Sequence, residues 1–218
     1  MRVVVQRVSE ASVDVINELG TLDPTFEPQQ IGPGFMILVG VTDEDGDQQI
    51  AWLTHKILNL RVFEDEQGKM NRSIQDIGGE ILSISQFTLF ADVHKGNRPS
   101  FIKAGKPEHA DITWIKFNEA LRSGGVPVKE GRFGAHMRVG LVNDGPVTII
   151  IDTEIDMPGG VHCAKCQVRM QKPCTNHERD SYRACRLSAE ANPANAGQII
   201  RPRPCLLYTS DAADDTPC

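Results

Sequence analysis

All eight Phe and both Trp of this 218-residue chain lie before residue 135, whereas all six Cys and both Tyr lie after residue 160. Large aromatic side chains carry much of the burial that stabilises a domain, so a stretch without Phe or Trp has little with which to build a core. Six of the thirteen Pro also fall after Asp156. The sequence therefore predicts one folded unit over 1–155 and a compositionally different tail over 156–218.

No apolar run approaches the roughly 20 residues needed to span a bilayer. The opening Met1-Arg2-Val3-Val4-Val5-Gln6 is too short an apolar run for a secretory leader. Both features predict a cytoplasmic protein with no membrane partner. A formal net charge of −6 argues against a protein that coats DNA or RNA by bulk electrostatics, while leaving room for a local basic patch.

Within 1–155, Arg2–Val8 and Ala11–Ile16 are β-rich and flank Ser9-Glu10, which suggests an opening hairpin. Asn17–Gln30 is polar and contains Gly20, Pro24 and Pro28, the composition of a long loop or an extended hairpin tip. Phe35–Val41 is a continuous apolar run, as in a strand buried on both faces. A helix follows, with Ile50, Leu53, Ile57 and Leu60 on one face. The acidic Asp43-Glu44-Asp45-Gly46-Asp47 before it suits a helix amino terminus better than a calcium loop, whose glycine would stand at the sixth position. Arg61–Glu64 reads as a short strand, Asp65–Lys69 as a turn, and Glu80–Leu89 as another strand. A second helix is predicted from Pro107 to about Arg122, with Trp114, Phe117 and Leu121 inward and Gly124-Gly125 as its stop. Val126–Lys129, Met137–Val142 and Val147–Ile151 complete the strands, with a turn at Asn143–Pro146. The fold class expected is mixed α/β.

Three segments could carry chemistry. Ser85-Gln86-Phe87-Thr88-Leu89 stands at the end of a buried strand, where a sheet holds groups rigidly and amide N–H groups can stabilise an oxyanion. The same pattern fits the polar face of a half-buried strand. Asn143-Asp144-Gly145-Pro146-Val147-Thr148 carries a Gly-Pro turn whose X–Pro bond could be cis, or could be an ordinary hairpin. Val93–Pro107 holds His94, Lys95, Arg98, Lys103 and Lys106 without a carboxylate, in a unit that carries 22 acids against 15 bases in all. It fits phosphate contact or a solvated loop. The unit has no Cys, and His55, His94, His109 and His136 show no metal-ligand spacing, so neither a thiol nucleophile nor a metal site is expected. No glycine pattern suggests a nucleotide cofactor, and none is expected.

Taken together, these segments resemble the D-aminoacyl-tRNA deacylase family. The resemblance covers 1 to about 155 and includes Gln6-Arg7-Val8, Ala11-Ser12-Val13, Gly34 through Val41 and Gly68-Lys69-Met70-Asn71. It continues through Ser85–Leu89, Arg98-Pro99-Ser100-Phe101, Gly131-Arg132-Phe133 and Asn143–Thr148. It implies a three-layer α/β/β domain and a homodimeric, metal-independent esterase. Such an enzyme frees D-amino acids, or glycine mischarged on tRNA-Ala, from the 3′-terminal ribose of tRNA. By the resemblance, Ser85, Gln86, Phe87 and Thr88 line the ester site. A cis Gly145-Pro146 enters the partner's site and rejects L-residues, Arg7 helps lock that dipeptide, and Asn143 joins them in binding substrate. Lys95, Arg98, Lys103 and Lys106 would meet acceptor-end phosphates. A tRNA-end binding module without turnover and a hydrolase of free D-amino acid esters are the other readings. Leu19–Gln30 looks longer than its counterpart in the family, and its part in dimer or tRNA contact is open.

In the tail, Cys163-x-x-Cys166 with Cys174, His177 and Cys185 superficially suggests zinc. Val161–Ala191 nevertheless lacks apolar periodicity, and Cys205–Asp215 resembles a translated sequencing adapter. The expectation is a disordered or artefactual tail.

Overall fold

A computed structural model of the chain describes residues 1–158. The expectations about the zinc pattern and disorder of the tail lie outside those residues. The order is β1 (Arg2–Ile16), β2 (Gln29–Ile31), β3 (Gly34–Gly40), α1 (Asp47–Asn59), β4 (Phe63–Glu64), β5 (Met70–Arg72) and β6 (Glu80–Ser85). A 3-10 turn (Phe87–Phe90) follows, then α2 (Pro107–Ser123), β7 (Val128–Glu130), β8 (His136–Asp152) and the short α3 (Thr153–Asp156).

The two predicted hairpins are in fact one long ribbon. β1 runs unbroken through Ser9-Glu10 and pairs antiparallel with β8 from Arg2↔Asp152 to Ile16↔His136. Neither Ser9 nor Glu10 is a Gly, Asn or Pro that would turn the chain, and the irregularity is absorbed as bulges. Between the pairs Gln6↔Thr148 and Val8↔Asn143, β1 contributes Arg7 alone while β8 contributes Asp144–Val147. A second shift, between Val8 and Glu10, leaves Ser9 unmatched. On its other edge β1 pairs with β3 over Arg2–Val8 and with β2 over Ala11–Val13. β3, β6 and β7 continue the sheet in parallel.

The bulge at Ser9 lets one strand serve two cores. Before it, Val3 and Val5 join Phe35, Ile37, Val39 and Ile81 in a cluster covered by α1 and α2. Past it, Ala11 and Val13 join Val8, Met36, Leu82, Ile84 and Ile31 in a second cluster. One extra residue shifts the two-residue side-chain period and changes which face is inward. β3 and β6 thus have helices on one face and the far half of the β1–β8 ribbon on the other, a three-layer α/β/β arrangement. It accounts for the unbroken hydrophobicity of β3.

Both helices form where their spacing predicts, except that α1 ends at Asn59, so Leu60 caps it half-buried and Leu58 is buried instead. Ile50, Leu53, Ile57 and Leu58 of α1 and Trp114, Phe117 and Leu121 of α2 are buried. Each such side chain contributes about 1.5–3 kcal/mol by leaving water. Of the acidic run before α1, Asp47 stands in the first helical turn. Asp45 serves otherwise, being buried where it accepts from the Met1 amino group, Thr42 N and Thr42 Oγ1. Trp114 donates its indole N–H to Ser83 Oγ at 2.9 Å, satisfying a hydroxyl that is wholly buried on β6.

Candidate active site

β6 ends one residue into the Ser85–Leu89 segment, earlier than the apolar pattern predicts. Gln86 N still donates to Val39 O at 2.8 Å, and the chain then coils into the 3-10 turn. Leu89 N and Ala91 N donate to Gln86 O and Thr88 O. No hydrogen bond among the described residues uses the amide N–H of Phe87 or Thr88, as befits the first turn of a helix. The corner is held from below by Arg2, whose Nη1 donates to Leu89 O at 2.7 Å. The Nε of Arg2 donates to Asp152 Oδ2 at 2.8 Å, and its guanidinium lies 4.9 Å from the centre of the Phe90 ring. Gly40 supplies the close approach: a Cβ there would meet Phe90 Cε2 at 2.9 Å and Gln86 O at 3.2 Å.

Beside this corner is a cleft of about 560 Å³. Ser85, Gln86 and Phe87 line it, with Val39, Val41 and Ile84 behind them. The loop Phe101–Pro107 forms a second wall, anchored where Gly105 N donates to Val41 O and Lys106 N to Asp43 Oδ1, each at 2.8 Å. Phe87 and Phe101 meet edge to face with ring centroids 5.0 Å apart. The third wall is the β7–β8 connection, Phe133–Met137. His136 is the one ionisable side chain among the lining residues, which include no carboxylate or thiol. Thr88 does not line the cleft. It is half-buried behind it, where Thr88 Oγ1 accepts a hydrogen bond from the Gln86 side-chain amide.

A different part of the molecule holds the other predicted residues. The bulge Asp144–Val147 carries Gly145 at φ +70°, a conformation that favours glycine. The Gly145–Pro146 bond is trans, not cis as the resemblance implies. The left-handed glycine already lets the strand bend through the bulge, and an X–Pro bond left to itself prefers trans by about 0.5–1 kcal/mol. Arg7, 6% exposed, spans the gap left by the bulge: its Nε donates to Asp144 O at 2.8 Å and its Nη1 to Val62 O at 2.6 Å. A Cβ on Gly145 would stand 3.1 Å from Arg7 Nη2. Arg7 and Gly145 are therefore brought together, while neither they, Pro146 nor Asn143 lines the cleft of the same chain. Asn143 pairs with Val8 and is exposed, as is Pro146.

The basic segment is a surface loop closed by the Asp92↔Ser100 bridge. Lys95, Arg98, Lys103 and Lys106 are all exposed, and Lys103 and Lys106 belong to the loop that forms the second wall of the cleft. The run is less purely cationic than its own residues indicate. Asp92 at its border approaches Lys103 Nζ at 3.5 Å, and the His94 amide and the Lys103 charge hold its carboxyl below the usual range. Among the described residues no group of three or more His, Cys, Asp or Glu is placed to hold a metal ion. No helix among them is long and apolar enough to cross a membrane.

Main-chain donors at the rim of an apolar cleft, with a hydroxyl beside an amide instead of a base, define a class of site. Such an arrangement can polarise a carbonyl through the backbone, and it offers the hydroxyl no side-chain base that would make it a nucleophile. The chain belongs to the family described as D-Tyr-tRNA(Tyr) deacylase, which it matches over residues 4–152. It is 93% identical over 160 residues to the D-aminoacyl-tRNA deacylase of Bifidobacterium longum subsp. infantis, covering 73% of this chain and 99% of that protein. The enzyme of the same name from Exiguobacterium sp. is 53% identical over 152 residues, covering 70% and 98%. Among solved structures, one described as the c-Myc DNA unwinding element binding protein is 44% identical with a TM-score of 0.62, covering 70% of this chain and 98% of that one. Another, described as a probable eukaryotic D-amino acid tRNA deacylase, shares the fold at 17% identity and a TM-score of 0.55, covering 69% and 97%.

Arg2, Gly40, Phe101, Phe133 and His136 belong to this site and escape a reading of motifs one at a time. Phe101 and Phe133 fall inside segments that carry the family resemblance. Arg2 and His136 offer no local signal.

Proposed function

We propose that this protein hydrolyses D-aminoacyl-tRNA to free D-amino acid and tRNA, a proofreading of chirality that leaves L-aminoacyl-tRNA intact. The observation that carries the reading is the corner at Gln86–Thr88. Its unused amide N–H groups face the developing oxyanion of an ester whose acyl side chain lies in the apolar cleft. Loss of one such donor costs about 10²–10³ in rate. The Thr88 hydroxyl is bonded to an amide, which cannot take its proton, so water is the attacking group and the 2′-hydroxyl of the terminal ribose orients it. The cleft also accepts glycine, including glycine mischarged on tRNA-Ala, because nothing there demands a side chain.

The active form is a homodimer. Gly145-Pro146 stands on an exposed bulge and does not line its own cleft, while Val142 and Ile150 on β8 are 51% and 66% exposed. A second copy covering β8 would bury those side chains and bring each bulge to the other's cleft, with Arg7 holding it in place and Asn143 at its edge. There the dipeptide carbonyls leave no room for an L side chain, so specificity comes from rejection. Lys95, Arg98, Lys103 and Lys106 meet the phosphates of the acceptor end. Residues 1–155 are the catalytic unit, and the protein works in the cytoplasm, where charged tRNA is made and used.

The test is to follow release of D-tyrosine and L-tyrosine from their charged tRNAs by the full chain. Release of the D-form alone supports the proposal. Binding of acceptor-stem RNA without turnover supports a binding module instead, and cleavage of simple D-tyrosine esters at the same rate as D-tyrosyl-tRNA supports a general ester hydrolase.

A further inference from the structure

Phe87 and Phe101 meet edge to face at the cleft, yet both keep much of their surface in water. Phe87 is 57% exposed, Phe101 is 36% exposed, and Ile102, next in the chain, is 92% exposed. Single apolar side chains on a surface are ordinary. Two paired aromatic rings with an isoleucine beside them form a ridge that folding alone does not call for.

The ridge is braced on every side. Ala104 N donates to Phe101 O at 3.0 Å, closing a turn with Ile102 and Lys103 at its corners. Before the turn, Asp92 and Ser100 exchange both backbone hydrogen bonds, at 2.7 and 2.9 Å. After it, Gly105 N donates to Val41 O at 2.8 Å, in a seat so close that a Cβ on Gly105 would stand 2.9 Å from the Thr42 carbonyl carbon. Phe87 opens the 3-10 turn that Gly40 and Phe90 hold in place. Rigid backbone presenting exposed rings is the arrangement of a preformed binding surface.

The charges around the ridge select its ligand. Lys103 stands at the turn, and Lys95, Arg98 and Lys106 are exposed on the same loop. The Asp92 carboxylate faces Lys103 Nζ at 3.5 Å, an exposed pair of the kind that water screens and a phosphate can displace. Aromatic faces beside cations hold single-stranded nucleic acid, the bases by stacking and the backbone by charge.

We propose that the Phe87–Phe101 ridge, with Ile102, is a stacking platform for the nucleotide that precedes the ester-bearing one in an unpaired RNA 3′ end. The inference rests on the function proposed above, which sets the ester-bearing ribose at the Gln86–Thr88 corner. That nucleoside carries its phosphate on the 5′ side, where the preceding nucleotide begins. Lys103 meets this phosphate, and the base beyond it lies on the rings.

The experiment compares the full chain with Phe101→Ala and Phe101→Tyr on two substrates. One is D-tyrosyl-tRNA, and the other is the ester of D-tyrosine with adenosine alone, which lacks the preceding nucleotide. In Phe101→Ala the ratio of kcat/KM for the tRNA over the adenosine ester falls by about fivefold to a hundredfold, the worth of one stacked base. The fall is carried by KM, and Phe101→Tyr recovers the ratio because its ring offers the same face. A merely structural role lowers both substrates alike, and a ratio left unchanged overturns the proposal. So does a fall in the ratio that comes with dissociation of a dimer in sedimentation, which makes the ridge a contact between copies. A second measurement places 2-aminopurine next to last in an uncharged acceptor-stem RNA. Its fluorescence is quenched on binding the unaltered chain and much less on binding Phe101→Ala, and equal or absent quenching overturns the platform. If the unaltered chain frees D-tyrosine from neither substrate, the proposed function has failed, and the quenching alone decides the platform.

Discussion

The corner at Gln86–Thr88 and the bulge at Asp144–Val147 are held in opposite ways. The corner ends a strand buried on both faces, is pressed by Gly40 and Phe90, and is tied underneath by Arg2. The bulge is exposed and depends on one guanidinium, that of Arg7. Groups that must stabilise charge need fixed geometry, which a packed sheet end supplies at many points. A group that excludes a wrong substrate needs only to be present at the right surface, and one anchor suffices. The corner should therefore fail by losing turnover, the bulge by losing discrimination.

The sharpest break in that contrast is Gly40→Ala. Its methyl would meet Phe90 and Leu89 side chains and Gln86 O, pushing the 3-10 turn away from the cleft. A displacement near 1 Å costs about 10²-fold in rate. Stopped-flow release of D-tyrosine should show that fall in kcat with a circular dichroism spectrum unchanged, and turnover within threefold of the parent would remove the corner from the mechanism. Arg7→Ala comes next. It leaves the carbonyls of Asp144 and Val62 without their donor and opens a cavity, for about 2–4 kcal/mol of destabilisation. Urea unfolding measures the loss, and release of L-tyrosine should rise among the molecules that remain folded. Equal stability would show that the bulge has another anchor.

Pro146→Ala addresses the bulge alone. It should raise L-tyrosine release by about tenfold, the scale of a changed pocket contact, or weaken the dimer in sedimentation. Unchanged discrimination and unchanged assembly would sink the role given to the dipeptide. Smaller still is the effect of the exposed basic loop. Lys95→Ala and Arg98→Ala should each lower the salt slope of tRNA binding by about 1 while leaving kcat alone. A slope that does not move would mean the loop misses the phosphates.

The same contrast governs what could be read from the sequence. The helices were legible because their inward residues recur every three or four positions, and β3 because both its faces are apolar. The β1–β8 ribbon was not. Ser9-Glu10 and Asn143–Pro146 interrupt two apolar runs as turns do, and only pairing across the whole folded unit shows that they are matched bulges. The Gln86–Thr88 corner was legible as a segment, but the end of β6 at Ser85 depends on Val39 and Gly40 on another strand. Arg2 joins the site through Leu89 O, 87 residues away, a contact no local pattern contains.

Thr88→Ala gives the smallest expected effect and separates two mechanisms. A threonine nucleophile requires a base within hydrogen-bond reach, and removing it would abolish turnover by several orders of magnitude. Here the partner of Thr88 Oγ1 is the Gln86 amide, a donor and not a base that could take the hydroxyl proton. The hydroxyl steadies the Gln86 side chain at the cleft, while the backbone N–H groups at Phe87 and Thr88 survive the substitution. D-tyrosine release by Thr88→Ala should therefore stay within about tenfold of the parent, the cost of one neutral hydrogen bond. Single-turnover kinetics decide the matter. A loss beyond about 10³-fold would make Thr88 the nucleophile and reduce the backbone amides to a supporting part.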